Sequence, residues 1–212
     1  MNKTDKYIIV DDFYRNPEKV RNYALQTEYD NPAGNGWMGA HSLKRMPGTR
    51  ETLLRISSLV SKTHTPNWEE LDALYKIEKR VYCGGFAALF QRQLGAVHAH
   101  GIEGDFIGMV CLSHPNDCKD RKAAMFFRHR QSGLEALGPD VELNQTIYND
   151  KFDYAKWQVI DAVDMQFNRL LLFDARYFHG PSPGFGNHIA NSRLIQVFCF
   201  RLQPKAAYNE HT

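Results

Sequence analysis

The sequence contains no Cys-x-x-Cys pair, and its four cysteines, Cys83, Cys111, Cys118 and Cys199, sit mostly inside apolar runs. That pattern excludes a zinc knuckle and a disulfide frame and points to buried, reduced thiols. Long apolar runs are also missing. Leu170-Leu171-Leu172-Phe173 is typical of the longest, far short of the roughly 20 residues that cross a bilayer. Met1 to Lys6 lacks the apolar stretch of a secretion signal, so a cytoplasmic, membrane-free protein is expected. Charge of one sign is scarce: 26 Lys+Arg stand against 24 Asp+Glu, for a net charge of +2. This excludes the strong positive field of a protein that lives on phosphate backbones, and nucleic acid is not an expected partner. Internal repeats and low-complexity stretches are absent too, and 212 residues suit one domain with a sizeable core.

Nine histidines are the term of the composition that stands out. Whether any of them share a site depends on the elements that carry them. Tyr7 to Val10 reads as a short strand, and Asn16-Pro17-Glu18 as a helix start, with a capping side chain, a proline suited to the first turn and an acid at the positive end of the dipole. A second helix is expected from about Thr49, with Leu53, Leu54, Ile56, Leu59 and Val60 near helical spacing, and another segment starts at Pro66-Asn67-Trp68. From about Val81 the texture changes to short runs of Val, Ile, Phe and Tyr between turn residues. Strands are expected at 81–90, 94–100, 106–112, 124–129, 157–165, 170–173 and 193–202. The expected architecture is mainly β: residues about 1–80 form a helical support and about 81–202 a jelly roll, within one domain spanning 1–212.

The sharpest local feature is Val97-His98-Ala99-His100. On extended backbone, side chains at i and i+2 share a face, so two imidazoles stand side by side as chelation of one ion requires. His179, between the apolar run ending at Phe173 and the turn-rich Pro181-Ser182-Pro183-Gly184, is the natural third ligand. Fourteen residues further on, Arg193 opens the apolar run Leu194 to Phe200. A guanidinium entering such a strand needs an anion, and its planar fork matches a carboxylate.

His98, His179 and Arg193, in that order and spacing, resemble the Fe(II)/2-oxoglutarate-dependent oxygenase superfamily. Ile8 to Phe13 with Asn16-Pro17, Phe106 to Leu112, Phe126 to Gly133 and Asn168-Arg169-Leu170 look like a bacterial and phage branch of it, so the resemblance runs from about residue 7 to 202. It implies a double-stranded β-helix, cupin-like, with Fe(II) held by His98, His100 and His179. Arg193 would pair with the far carboxylate of the cosubstrate 2-oxoglutarate. The implied reaction consumes O2, hydroxylates a small-molecule or peptide substrate, and releases succinate and CO2. The sequence departs from that family at His100, where a carboxylate is usual. Either three imidazoles hold the ion, or Glu103 or Asp105 folds back from the Gly-flanked loop to supply the acid, or metal binding has changed.

The alternatives are a three-histidine cupin-like metalloenzyme that does not use 2-oxoglutarate, and a non-catalytic binding module on the same barrel. Each residue also has a plainer role. His98 and His100 could be ordinary strand histidines, and Arg193 could pair with Asp174. The Arg128–Arg130 face around His129 reads as a solvated basic edge, or as a contact for an anionic substrate. His41, His64, His114, His188 and His211 are expected at the surface, and Trp37 in the core or in a lid. The loops 31–48, 101–105 and 133–154 are expected to shape the mouth.

Overall fold

The computed structural model describes residues 1–30, 39–78, 81, 83–93, 95–100 and 104–205. In chain order the elements are β1 (Asn2–Lys3), β2 (Tyr7–Val10), α1 (Pro17–Gln26), β3 (Ala40–His41), α2 (Thr49–Ser57), β4 (His64–Pro66), α3 (Trp68–Glu78), β5 (Cys83–Leu89), β6 (Phe106–Cys111), β7 (Lys122–His129), α4 (Val141–Asn149), β8 (Trp157–Asp164), β9 (Leu170–Asp174), β10 (His179–Gly180), β11 (Arg193–Phe200) and β12 (Leu202–Pro204). Among the described residues, seven strands form one sheet in the order β1-β2-β9-β6-β11-β5-β3 and three form a second, β10-β7-β8, with every pairing antiparallel. No helix among the described residues is long and apolar enough to cross a membrane.

Period-two alternation divides the large sheet between two apolar clusters. Leu170, Leu172, Val110, Leu112, Leu194, Phe198 and Phe200 pack with Val20 and Ala24 of α1, Leu53 and Ile56 of α2, and Leu71 of α3. Their neighbours Leu171, Phe173, Met109, Cys111, Ile195 and Cys199 face Ala123, Ala124, Phe126 and Val163 of the small sheet. Fully burying one such Leu or Phe contributes about 1.5–3 kcal/mol, so the sheet is held from both faces. The Asn16 side chain accepts the Lys19 N–H at 3.2 Å and starts α1.

Two expectations need correction. Residues 95–100 form no strand; the segment makes one isolated bridge, His98 with His179. Its hydrogen bonds go to three separate places: Val97 N–H to Lys151 O at 2.9 Å, His98 to His179, and His100 N–H to Ala175 O at 2.8 Å. A continuous ladder has no partner to run along. α4 falls inside the expected 133–154 loop and is started by Asp140, whose carboxylate accepts the Leu143 N–H at 3.0 Å. Trp37, Glu103 and His211 lie outside the described residues.

Candidate metal centre

Although 95–100 is not a strand, its alternation survives. Val97 and Ala99 turn into a third apolar cluster with Phe127, Ile147, Trp157 and Phe178, which leaves His98 and His100 together on the other side. His179 reaches them from β10, which pairs with β7 as His179↔Phe126 and Gly180↔Met125. Gly95 permits the approach of the two segments, since a Cβ there would lie 2.2 Å from Pro181 Cγ.

The candidate nitrogens of His98, His100 and His179 all lie within 4.8 Å of one another. Nε2 of His98 is 3.0 Å from Nε2 of His100, and two ligands about 2.1 Å from one ion at right angles stand about 3 Å apart. The ring orientations are fixed from behind. His98 Nδ1 donates to Ala96 O at 2.9 Å and His179 Nδ1 to Tyr177 O at 2.8 Å. A carbonyl only accepts, so both Nδ1 atoms carry a proton, and in the neutral ring the Nε2 atom keeps the lone pair a metal needs. Burial, with His98 and His100 beside it, pushes the His179 imidazole well below its ordinary pKa and holds it neutral.

The three histidines line a cavity of about 340 Å3 between the two sheets, and Arg193 lines it too. Odd-numbered residues of β11 face inward, so Arg193 shares the cavity wall with Ile195, Val197 and Cys199. It is 2% exposed and donates one Nη2 bond to Ala123 O, while its Nε has no partner. Desolvation pulls its pKa down to about 10, so the guanidinium remains charged near neutrality. A buried, charged, under-bonded guanidinium in a cavity wall is a site for an anion.

The plainer partners proposed by the sequence are engaged elsewhere. Asp174 pairs with Arg176 at 2.7 Å, so it does not neutralise Arg193. Asp105 accepts the Leu202 N–H at 3.0 Å and lies 3.5 Å from Arg201, and it is not in the histidine cluster. Arg128 pairs with Glu135 and Arg130 Nε donates to Trp157 O at 3.1 Å, so neither side chain lines the cavity. His129 between them is buried, not part of a solvated edge. His41 is half-buried and lines the cavity with Asp30, contrary to a surface location, and His64 is half-buried against Ser61 and Thr63. His114 and His188 are exposed as expected. Tyr148, Lys151 and Phe152 also line the cavity; the sequence suggested only that their loop belonged to the mouth.

No protein-family model matches this chain, and no curated protein does. Among solved structures it is similar to HygX from Streptomyces hygroscopicus, determined with nickel, 2-oxoglutarate and hygromycin B bound. The TM-score is 0.53 at 12% identity, over 98% of this chain and 86% of that one. TqaL, an Fe(II)/(alpha)ketoglutarate-dependent dioxygenase, aligns with a TM-score of 0.41 at 14% identity over 95% of this chain and 84% of its own, a likeness too weak to argue from. The HygX likeness establishes a shared fold and nothing finer.

Proposed function

We propose that this chain is an Fe(II)- and 2-oxoglutarate-dependent oxygenase on a double-stranded β-helix, hydroxylating a small-molecule or peptide substrate. The observation that carries the reading is one cavity lined both by three converging imidazoles and by a buried guanidinium with an unpartnered Nε. The metal donors alone would suit many enzymes; a second, anion-seeking group in the same cavity suits a cosubstrate that chelates at one end and carries a carboxylate at the other. HygX, which shares the fold, holds a metal ion and 2-oxoglutarate, and this supports the same pairing here.

His98, His100 and His179 would hold Fe(II), and Arg193 the far carboxylate of 2-oxoglutarate. Bound together with O2, these groups supply the oxidising power for C–H hydroxylation, with 2-oxoglutarate leaving as succinate and CO2. The chain itself supplies order and dryness. The carbonyls of Ala96 and Tyr177 lock two rings with Nε2 inward. Ile107, Met109, Ile195 and Val197 wall the cavity with apolar surface and limit water. Arg193 is already desolvated, so pairing with a carboxylate recovers an interaction that burial has made strong.

One observation favours a second reading: among the described residues no carboxylate joins the histidine cluster. A three-histidine enzyme that chelates its substrate directly would need none. Anaerobic titration separates the two. Fe(II) protein given 2-oxoglutarate should develop the weak visible charge-transfer band of a chelated keto acid, and Arg193→Met should lose it. Binding of Fe(II) without any response to 2-oxoglutarate would replace the first reading by the second, and failure to bind either would end both.

A further inference from the structure

Cationic, acidic and aromatic groups line the same cavity as the three histidines. Tyr148, at the C-terminal end of α4, and Phe152 are large aromatics 52% and 58% exposed, yet both line the cavity. Lys151 lies between them in sequence. Its Nζ stands 3.8 Å from the Tyr148 ring centroid and 5.4 Å from that of Phe152. Among the described residues this half-buried ammonium meets ring faces but neither a carboxylate nor any hydrogen-bond acceptor. Asp30, an acid among the described residues of the cavity, accepts the His41 backbone N–H at 2.6 Å and lies 3.9 Å from His41 Nδ1. Among the described residues, Lys151 is therefore a cation on the cavity wall whose three donors have no protein anion to serve.

The segment is also held in place. Asp150 accepts from His129 Nε2 at 3.0 Å, and His129 Nδ1 faces Ser132 Oγ at 2.9 Å and accepts the Ser132 N–H at 3.3 Å. Trp157 Nε1 donates to Asp150 O at 3.0 Å. One residue on, Lys151 O accepts the Val97 N–H at 2.9 Å, one residue before the first metal-ligand candidate. The 150–151 backbone is thus tied to the buried wall of the small sheet and to the histidine segment at once. Two exposed aromatics and a lysine on such an anchored segment are placed for recognition rather than left over from packing.

We infer that Tyr148, Lys151 and Phe152 form the substrate subsite of this cavity, and that the substrate carries an anionic group on an aromatic body. Lys151 takes the anion through its ammonium, and the aromatic rings take the flat apolar part. His129 and Asp150 are positioning residues for this wall. The inference rests on the oxygenase reading for the words substrate subsite, but the subsite is defined by residues separate from Arg193 and the histidines.

The test uses ligand-observed NMR titration with a panel of small aryl carboxylates and aryl phosphates, each matched with its neutral carboxamide or alcohol, on the full chain with Ni(II) and saturating 2-oxoglutarate. Acids should outbind their neutral partners. Lys151→Met should weaken the acids by about 10- to 100-fold, as loss of a charge-assisted hydrogen bond predicts. Lys151→Arg should restore most of the binding, and Phe152→Ala should weaken acids and neutral partners alike. Arg193→Met should leave panel binding in place. The inference is overturned if no acid binds, if neutral partners bind as well as acids, if Lys151→Met binds like the parent, or if only Arg193→Met loses the acids. Absence of any response to Ni(II) or 2-oxoglutarate counts against the oxygenase reading alone, because the Lys151 series is read independently of it.

Discussion

His98 and His179 exchange both of their backbone hydrogen bonds, at 2.9 and 2.8 Å, and bring their rings to a centroid separation of 4.6 Å. Residues 81 positions apart are thereby held in register by the backbone, and the side chains inherit that order. The third ring, His100, is 4.7 Å from His98 and 5.3 Å from His179, and its own backbone N–H is held by Ala175 O at 2.8 Å. Three imidazoles held this way could take an ion without first being gathered from separate positions.

His98→Ala and His179→Ala should each reduce bound metal from about one ion per chain to near zero after dialysis, measured by elemental analysis of the folded proteins. His100→Asp supplies the acid usual in the oxygenases that the sequence resembles and should retain the ion, whereas His100→Ala should not. Equal metal content in His100→Ala and the parent would show that another residue fills that position.

Arg193→Met should remove the stabilisation conferred by 2-oxoglutarate while leaving the unliganded protein at least as stable. A pKa drawn down from the ordinary guanidinium value to about 10 reflects a desolvation cost of roughly 3 kcal/mol, and losing the bond to Ala123 O returns roughly 1–3 kcal/mol. Thermal melts with and without metal and cosubstrate measure both effects. The sign of the pH dependence follows. Arg193 is a base whose folded pKa is depressed, so its destabilising effect is present below about 10 and fades only as pH rises beyond that value. Affinity for 2-oxoglutarate should therefore be flat from about pH 7.5 to 9. A steep fall inside that window would show that Arg193 is not the carboxylate's partner.

Gly95→Ala should damage the metal site without unfolding the chain. The added Cβ would stand 2.2 Å from Pro181 Cγ and push the segment bearing His98 from the one bearing His179. Weaker metal binding is expected, at a stability cost of about 1–3 kcal/mol for overpacking. Parent-like affinity would show that the two segments separate without disturbing the histidines.

The four thiols should resist an aromatic disulfide reagent at pH 8 until the protein is denatured, when all four should react. All four are buried thiols, none in a disulfide, and burial pushes Cys83 and Cys118 up to about 12 and raises Cys111. Rapid reaction of one thiol in the native protein would reveal local opening of its strand.

Alternation in 106–112, 170–173 and 193–202 made the β-core legible, because a half-buried sheet imposes period two on side chains. Asn16-Pro17 announced α1, and the i, i+2 spacing of His98 and His100 announced a shared face. These are local properties, set within a few residues of chain. The segment 94–100 read as a strand for the same reason; whether extended backbone joins a ladder depends on what lies beside it, and here its described part meets Lys151 on one segment and Ala175 and His179 on another, with no regular register. Asp105 was a plausible metal ligand and Asp174 a plausible partner for Arg193, yet Arg201 lies beside the first and Arg176, two residues along the chain, holds the second. The residue types able to bind a metal and an anion, and the alternation that orients them, were written in the sequence. That His98, His179 and Arg193 open into one cavity, and that Lys151 stands at its wall with no carboxylate partner among the described residues, was decided by the packing of β10 and β11 across two sheets and by the anchoring of Asp150. Distances between remote segments follow from what the whole chain buries, which no local pattern encodes.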